Sequence, residues 1–87
     1  MVSAPEPPAG ADALRATVLR VLGTIAPEAD LAALPDDAEL AVELDLDSIN
    51  FLDFVVGLHE ATGVDVPERD YPRLTTLGDC VAYLAAR

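Results

Sequence analysis

The chain contains no lysine, and its five arginines stand against sixteen aspartates and glutamates, a formal net charge of −11 over 87 residues. So few cations argue against binding nucleic acid or an anionic membrane, because phosphate-rich partners are held by cationic side chains that displace counterions. The acidic field suits docking on basic patches of partner proteins, where opposite charges speed encounter. Only one cysteine is present, which excludes an intrachain disulfide and a thiolate metal cluster and suits a reducing cytoplasm. With no charged leader and no long apolar run, neither secretion nor membrane insertion is expected. The length suits one small domain, expected to be a monomer, near the size at which a single core is only just sufficient.

Met1 to Gly10 carries Pro5, Pro7 and Pro8 with little to bury, and is expected to be a disordered tail ahead of a domain over 11–87. From Ala11 the spacing of Leu14, Val18, Val21, Leu22 and Ile25 is helical, and Pro27 stops it. Residues 26 to 47 form a long connection whose Leu31, Leu34, Leu40, Leu44 and Leu46 are placed to pack it down. Ser48 to Thr62 predicts a second long helix, left at Gly63. Glu68 to Leu74 has room for only a short helical turn, because Pro72 disfavours a helical residue before it. Thr76-Leu77-Gly78-Asp79 reads as a capping box with Asp in place of Glu, and Leu77, Cys80, Val81 and Leu84 give a last helix one apolar face. There is no internal repeat and no strand pair with a turn signal. The expected fold is all-α: a small antiparallel bundle of three main helices plus one short helix.

Asp47-Ser48-Ile49 stands where an acidic loop becomes an apolar helix. As a local pattern, Asp-Ser is foremost a helix cap, since both side chains accept bonds from the free N–H groups of a first turn. A calcium loop opening at Asp45 fails, because Ile49, Asn50 and Val56 stand where acidic or amide, glycine and glutamate residues are needed. A catalytic serine lacks its base: the single histidine, His59, lies three turns along the same helix. Nothing within the chain activates Ser48.

With Asp47-Ser48-Ile49, Gly63-Val64-Asp65-Val66-Pro67, Leu74-Thr75-Thr76-Leu77 and Tyr83-Leu84 in one register, the chain resembles the acyl carrier protein family over residues 11 to 87. The family's signature is Asp-Ser-Leu, so Ile49 is an aliphatic exchange. The resemblance implies a non-catalytic carrier, with 4′-phosphopantetheine joined to Ser48 by a phosphopantetheinyl transferase and Asp47 as part of the motif. Acyl intermediates would ride on the arm as thioesters, for fatty-acid, polyketide or related specialised biosynthesis. An anionic phosphodiester at a helix N-terminus gains about 0.3–1 kcal/mol, enough to orient the arm but not to drive its attachment.

At about 100° per residue the helix from Ser48 presents two apolar stripes. Phe51, Phe54, Val55, Leu58 and Thr62 are assigned to the core. Ile49, Leu52 and Val56 form the second, flanked by Asp53 and Glu60; in the family the corresponding positions dock on acyl-loading and acyl-using enzymes. The resemblance also makes Leu40, Phe51, Phe54, Leu58, Tyr71 and Cys80 the expected border of an acyl pocket, with Cys80 a core residue and not the arm's thiol. This chain departs from typical fatty-acid carriers at Asn50 and His59, where acids are usual, and at Asp45, where glycine is favoured. Phe51 and Tyr71 replace smaller side chains, so the expected cargo is short, polar or left outside the bundle. A peptidyl or aryl carrier is the alternative, although that branch usually places glycines before the serine. An unmodified helical adaptor is a third reading.

Overall fold

The computed structural model describes residues 10–87, so the tail expected over 1–10 lies, but for Gly10, outside the described residues. Helix α1 spans Ala11–Ile25 and buries Val18, Val21 and Leu22 from one stripe of its surface. After a long connection containing the four-residue helix α2 (Leu40–Glu43), α3 runs over Ser48–Thr62 and α4 over Leu77–Ala85. Helix α1 packs against both α3 and α4, and a 3₁₀ segment, Glu68–Leu74, packs on α4. The architecture is all-α, with one core built from Val18, Leu22, Leu40, Phe54, Leu58, Leu74, Leu77, Cys80 and their neighbours. Among the described residues no helix is long and apolar enough to cross a membrane.

The α1–α3 contact is set by Gly57. A Cβ built there would lie 2.6 Å from Cγ1 of Val21, inside any tolerable contact. Valine is β-branched and stiff, so it cannot swing away cheaply. The two backbones approach closely only because position 57 has no side chain. At the other end, α3 stops at Gly63, whose left-handed φ of 74° aims its N–H at the His59 carbonyl, 2.7 Å away.

The connection over 26–47 is more ordered than its sequence suggests. It contains a 3₁₀ turn at Leu31–Ala33 as well as α2, and it buries Leu34, Ala38 and Leu40. Long-range backbone bonds hold it down: Leu40 N–H donates to Thr75 O (2.9 Å) and Gly78 N–H to Asp36 O (2.8 Å). An isolated antiparallel bridge between Glu39 and Thr76 accompanies them. Arg15 adds an ion pair to Asp36 at 2.8 Å, exposed and worth little by itself.

The segment before α4 also differs from expectation. All seven residues from Glu68 to Leu74 are helical, passing through Pro72, where a single short turn was expected. In a 3₁₀ helix a proline forfeits one donor without the α-helical clash against the carbonyl four residues back. Thr75 Oγ1 then donates to the Pro72 carbonyl (2.6 Å) and closes the end. Tyr83, which the apolar spacing of α4 did not single out, is buried at 2% exposure. Its hydroxyl donates to Asp70 (2.7 Å), and the Arg73 and Arg87 guanidinium groups lie 5.0 and 4.5 Å from its ring centroid. Burial and the bond to Asp70 push its phenol above the ordinary range. Thr62, assigned to the core, sits only half-buried at its edge, donating to Leu58 O (2.6 Å) and accepting from Val64 N–H (3.2 Å).

Candidate functional site

The site is built by a sharp reversal between α2 and α3. The N–H of Leu46 donates to Ala41 O (2.9 Å) and that of Asp45 to Val42 O (3.4 Å), a Schellman pattern that ends α2. Its turning residue, Asp45, has φ 52°, among the described residues the sole non-glycine at positive φ. This left-handed requirement is the physical reason a glycine suits position 45; aspartate tolerates it better than most side chains. The turn delivers Asp47 directly onto the start of α3. There Asp47 Oδ1 accepts from Asn50 N–H at 2.7 Å, while Asn50 Oδ1 reaches back toward the Asp47 N–H at 3.5 Å. Asn50, a departure in the expected docking face, is therefore the second half of a capping box.

Ser48 is the first residue of the fifteen-residue α3, and it is exposed. The first N–H groups of a helix have no intrahelical partner, and the cap engages that of Asn50; among the described residues those of Ser48 and Ile49 have no acceptor and are open to an anion. His59 lies at the far end of the same helix, its Nδ1 3.1 Å from the Val64 carbonyl and 3.2 Å from Asp65 Oδ1. It is no base for Ser48.

Beside the serine lies an open groove of ≈ 440 Å³, lined by Ser48 itself with Ala41, Leu46, Asp47, Phe51, Leu52, Glu68 and Tyr71. Of the six residues expected to border an acyl pocket, the structure brings Phe51 and Tyr71 to this groove. The other four do not line it: Leu40, Phe54, Leu58 and Cys80 are at most 1% exposed, packed in the core behind. The Phe51 ring is set edge-on to Phe54 (centroids 6.1 Å) and to Tyr71 (5.6 Å), so aromatic rings stand between groove and core.

Along the outer face of α3, Ile49, Leu52 and Val56 are 68, 48 and 56% exposed, and Asp53 and Glu60 are exposed beside them. The connection does not cover them. Val42, 69% exposed, was not anticipated. The signal was available: Leu40 and Leu44, four apart, define the buried side of α2, which turns the residue between them outward.

Burial raises the Cys80 thiol to about 12, the neighbouring Asp79 carboxylate adding to the effect, and its Sγ lies 3.8 Å from the Leu74 carbonyl. The native chain is expected to show no thiol reactive toward a disulfide reagent at pH 8, and one after unfolding, because the thiolate is the reacting form. The unfolded chain ionises this thiol above about pH 9, the folded chain only near 12. This thiol's contribution to stability is therefore present below pH 9 and lost as the pH rises toward 12. A native thiol titrating rapidly at pH 8 on the unmodified chain contradicts this.

Residues 12–84 match the family described as the phosphopantetheine attachment site. The chain is 37% identical to an acyl carrier protein of Renibacterium salmoninarum, over 71% of this chain and 72% of that one. It is 39% identical to one from Kineococcus radiotolerans (60% and 70%) and 28% identical to one from Lactobacillus acidophilus (66% and 71%). An exposed serine on a capped helix, with no base beside it, fits a group that is covalently attached by another enzyme. The chain belongs to the acyl carrier protein family, and it is a non-catalytic carrier whose prosthetic group is a covalent 4′-phosphopantetheine.

Proposed function

We propose that Ser48 is the attachment point and that the chain is a specialised, monomeric, cytoplasmic carrier for a short, polar or externally held acyl group. One observation carries the first part: Ser48 is exposed at the first position of a long capped helix, inside the matched segment. The phosphodiester would be held by the free N–H groups of Ser48 and Ile49 at the positive end of α3. The arm's terminal thiol supplies the thioester linkage to the cargo. This chain's part is to present the arm, exclude competing thiols through the burial of Cys80, and dock on partners. Incubation with a promiscuous phosphopantetheinyl transferase and coenzyme A, read by intact mass, tests the reading. An adduct on Ser48 supports it, and its absence favours an unmodified helical adaptor.

The docking surface is Asp47, Ile49, Leu52, Asp53, Val56 and Glu60. Its support is an apolar stripe that the bundle leaves exposed, bordered by carboxylates on a chain of charge −11. Partners would be the transferase and acyl-loading and acyl-using enzymes with basic patches, in fatty-acid, polyketide or related biosynthesis. Reversing Asp53 and Glu60 to lysine is expected to slow modification roughly ten-fold or more at low salt, with the difference shrinking as salt screens it. Unchanged rates with several partner enzymes would contradict the assignment.

A further inference from the structure

The groove beside Ser48 has an aromatic wall. Tyr71 and Phe51 meet edge to face at 66°, and Phe51 leans in turn on the fully buried Phe54. Tyr71 is fixed from behind: its neighbour Asp70 is bonded to Tyr83, and Leu74 anchors the segment in the core. Leu46 and Leu52 extend the apolar lining, while Asp47 and Glu68 put two carboxylates on it. A cargo tethered to Ser48 meets this lining at high effective concentration, since the arm starts within it. Two aromatic rings in the lining favour a planar ring over a flexible chain, and the two carboxylates disfavour a cargo carrying a free acid.

We infer that the groove holds the carrier's own cargo outside the core, and that its Phe51–Tyr71 wall selects a planar aromatic acyl group without a free carboxylate. The inference rests on Ser48 being the attachment point. Phe51 and Tyr71 are then specificity-determining residues, barring the core and offering the ring its contacts.

The test uses the full chain, modified enzymatically with benzoyl and, separately, octanoyl coenzyme A, and read by intact mass and then by NMR. The benzoyl protons are expected to show nuclear Overhauser contacts to Phe51, Tyr71, Leu46 and Leu52. The octanoyl chain is expected to show none to Leu58 or Cys80. In Tyr71→Ala and Phe51→Ala, checked for folding by circular dichroism, protection of the benzoyl group from a soluble paramagnetic probe should fall roughly two- to ten-fold, as loss of an aromatic contact predicts. Octanoyl contacts to Leu58 and Cys80 in the unaltered chain, or octanoyl contacts to Phe51 and Tyr71 as strong as those of the benzoyl group, would overturn the inference. So would a benzoyl group attached to Ser48 that touches no groove residue, and in that case the attachment assignment survives. Failure of both substrates to modify Ser48, by contrast, removes the attachment assignment and the inference with it.

Discussion

A Ser48→Ala variant takes up no phosphopantetheine under conditions that modify the unaltered chain stoichiometrically. Completeness is expected because the described alternatives are already engaged. Thr17, Thr24, Thr62 and Thr75 each donate a hydroxyl to a backbone carbonyl within their own helical turns, and Thr76 Oγ1 accepts from Asp79 N–H as the cap of α4. None stands exposed at the start of a long helix. The fold should survive, since Asp47 keeps the cap and alanine is the best helix former, about 0.5 kcal/mol better than serine. The variant should therefore melt within a few degrees of the parent while its mass stays unchanged by the transferase. An adduct on the variant would relocate the attachment site.

Phe54→Ala gives the largest expected loss of stability. The ring is fully buried, so its removal forfeits both its transfer free energy and the packing around the cavity it leaves. The expected cost is about 3–5 kcal/mol, a large part of the roughly 5–15 kcal/mol that holds a small domain folded. At roughly 4–8 °C per kcal/mol for a chain of this size, the melting point falls by tens of degrees. Leu52→Ala, two residues away but 48% exposed, should change stability by no more than about 0.5 kcal/mol. Urea unfolding of both variants separates the two faces of α3. Comparable losses would show that the outer stripe is packed and not free for partners.

Much of this was legible in the chain because helices write their buried side at a period of 3.6 residues. Val18, Val21 and Leu22 on α1 and Phe54, Val55 and Leu58 on α3 were all found that way, and all are buried. Periodicity cannot say what a buried face packs against. The four expected pocket residues that lie behind the groove look the same in sequence whether the core opens or is filled. The order within 26–47 was hidden for a related reason: the bonds that pin its short turns to the bundle run to Thr75 and from Gly78, far along the chain, so no local pattern announces them. Tyr83 was missed because its hydroxyl is satisfied by Asp70, thirteen residues back and on another element.

The sequence alone determined a small acidic helical chain with a serine at a capped helix start, since capping, charge and helical period are local properties; its role as a carrier came from its likeness to a family. Only the tertiary structure decided how close α1 comes to α3, because Gly57 acquires its meaning from Val21 across the interface. It also decided what lies beside Ser48. Phe51 and Tyr71 are twenty residues apart and reach one another only through the docking of the 3₁₀ segment onto α4, which makes them one wall of one groove.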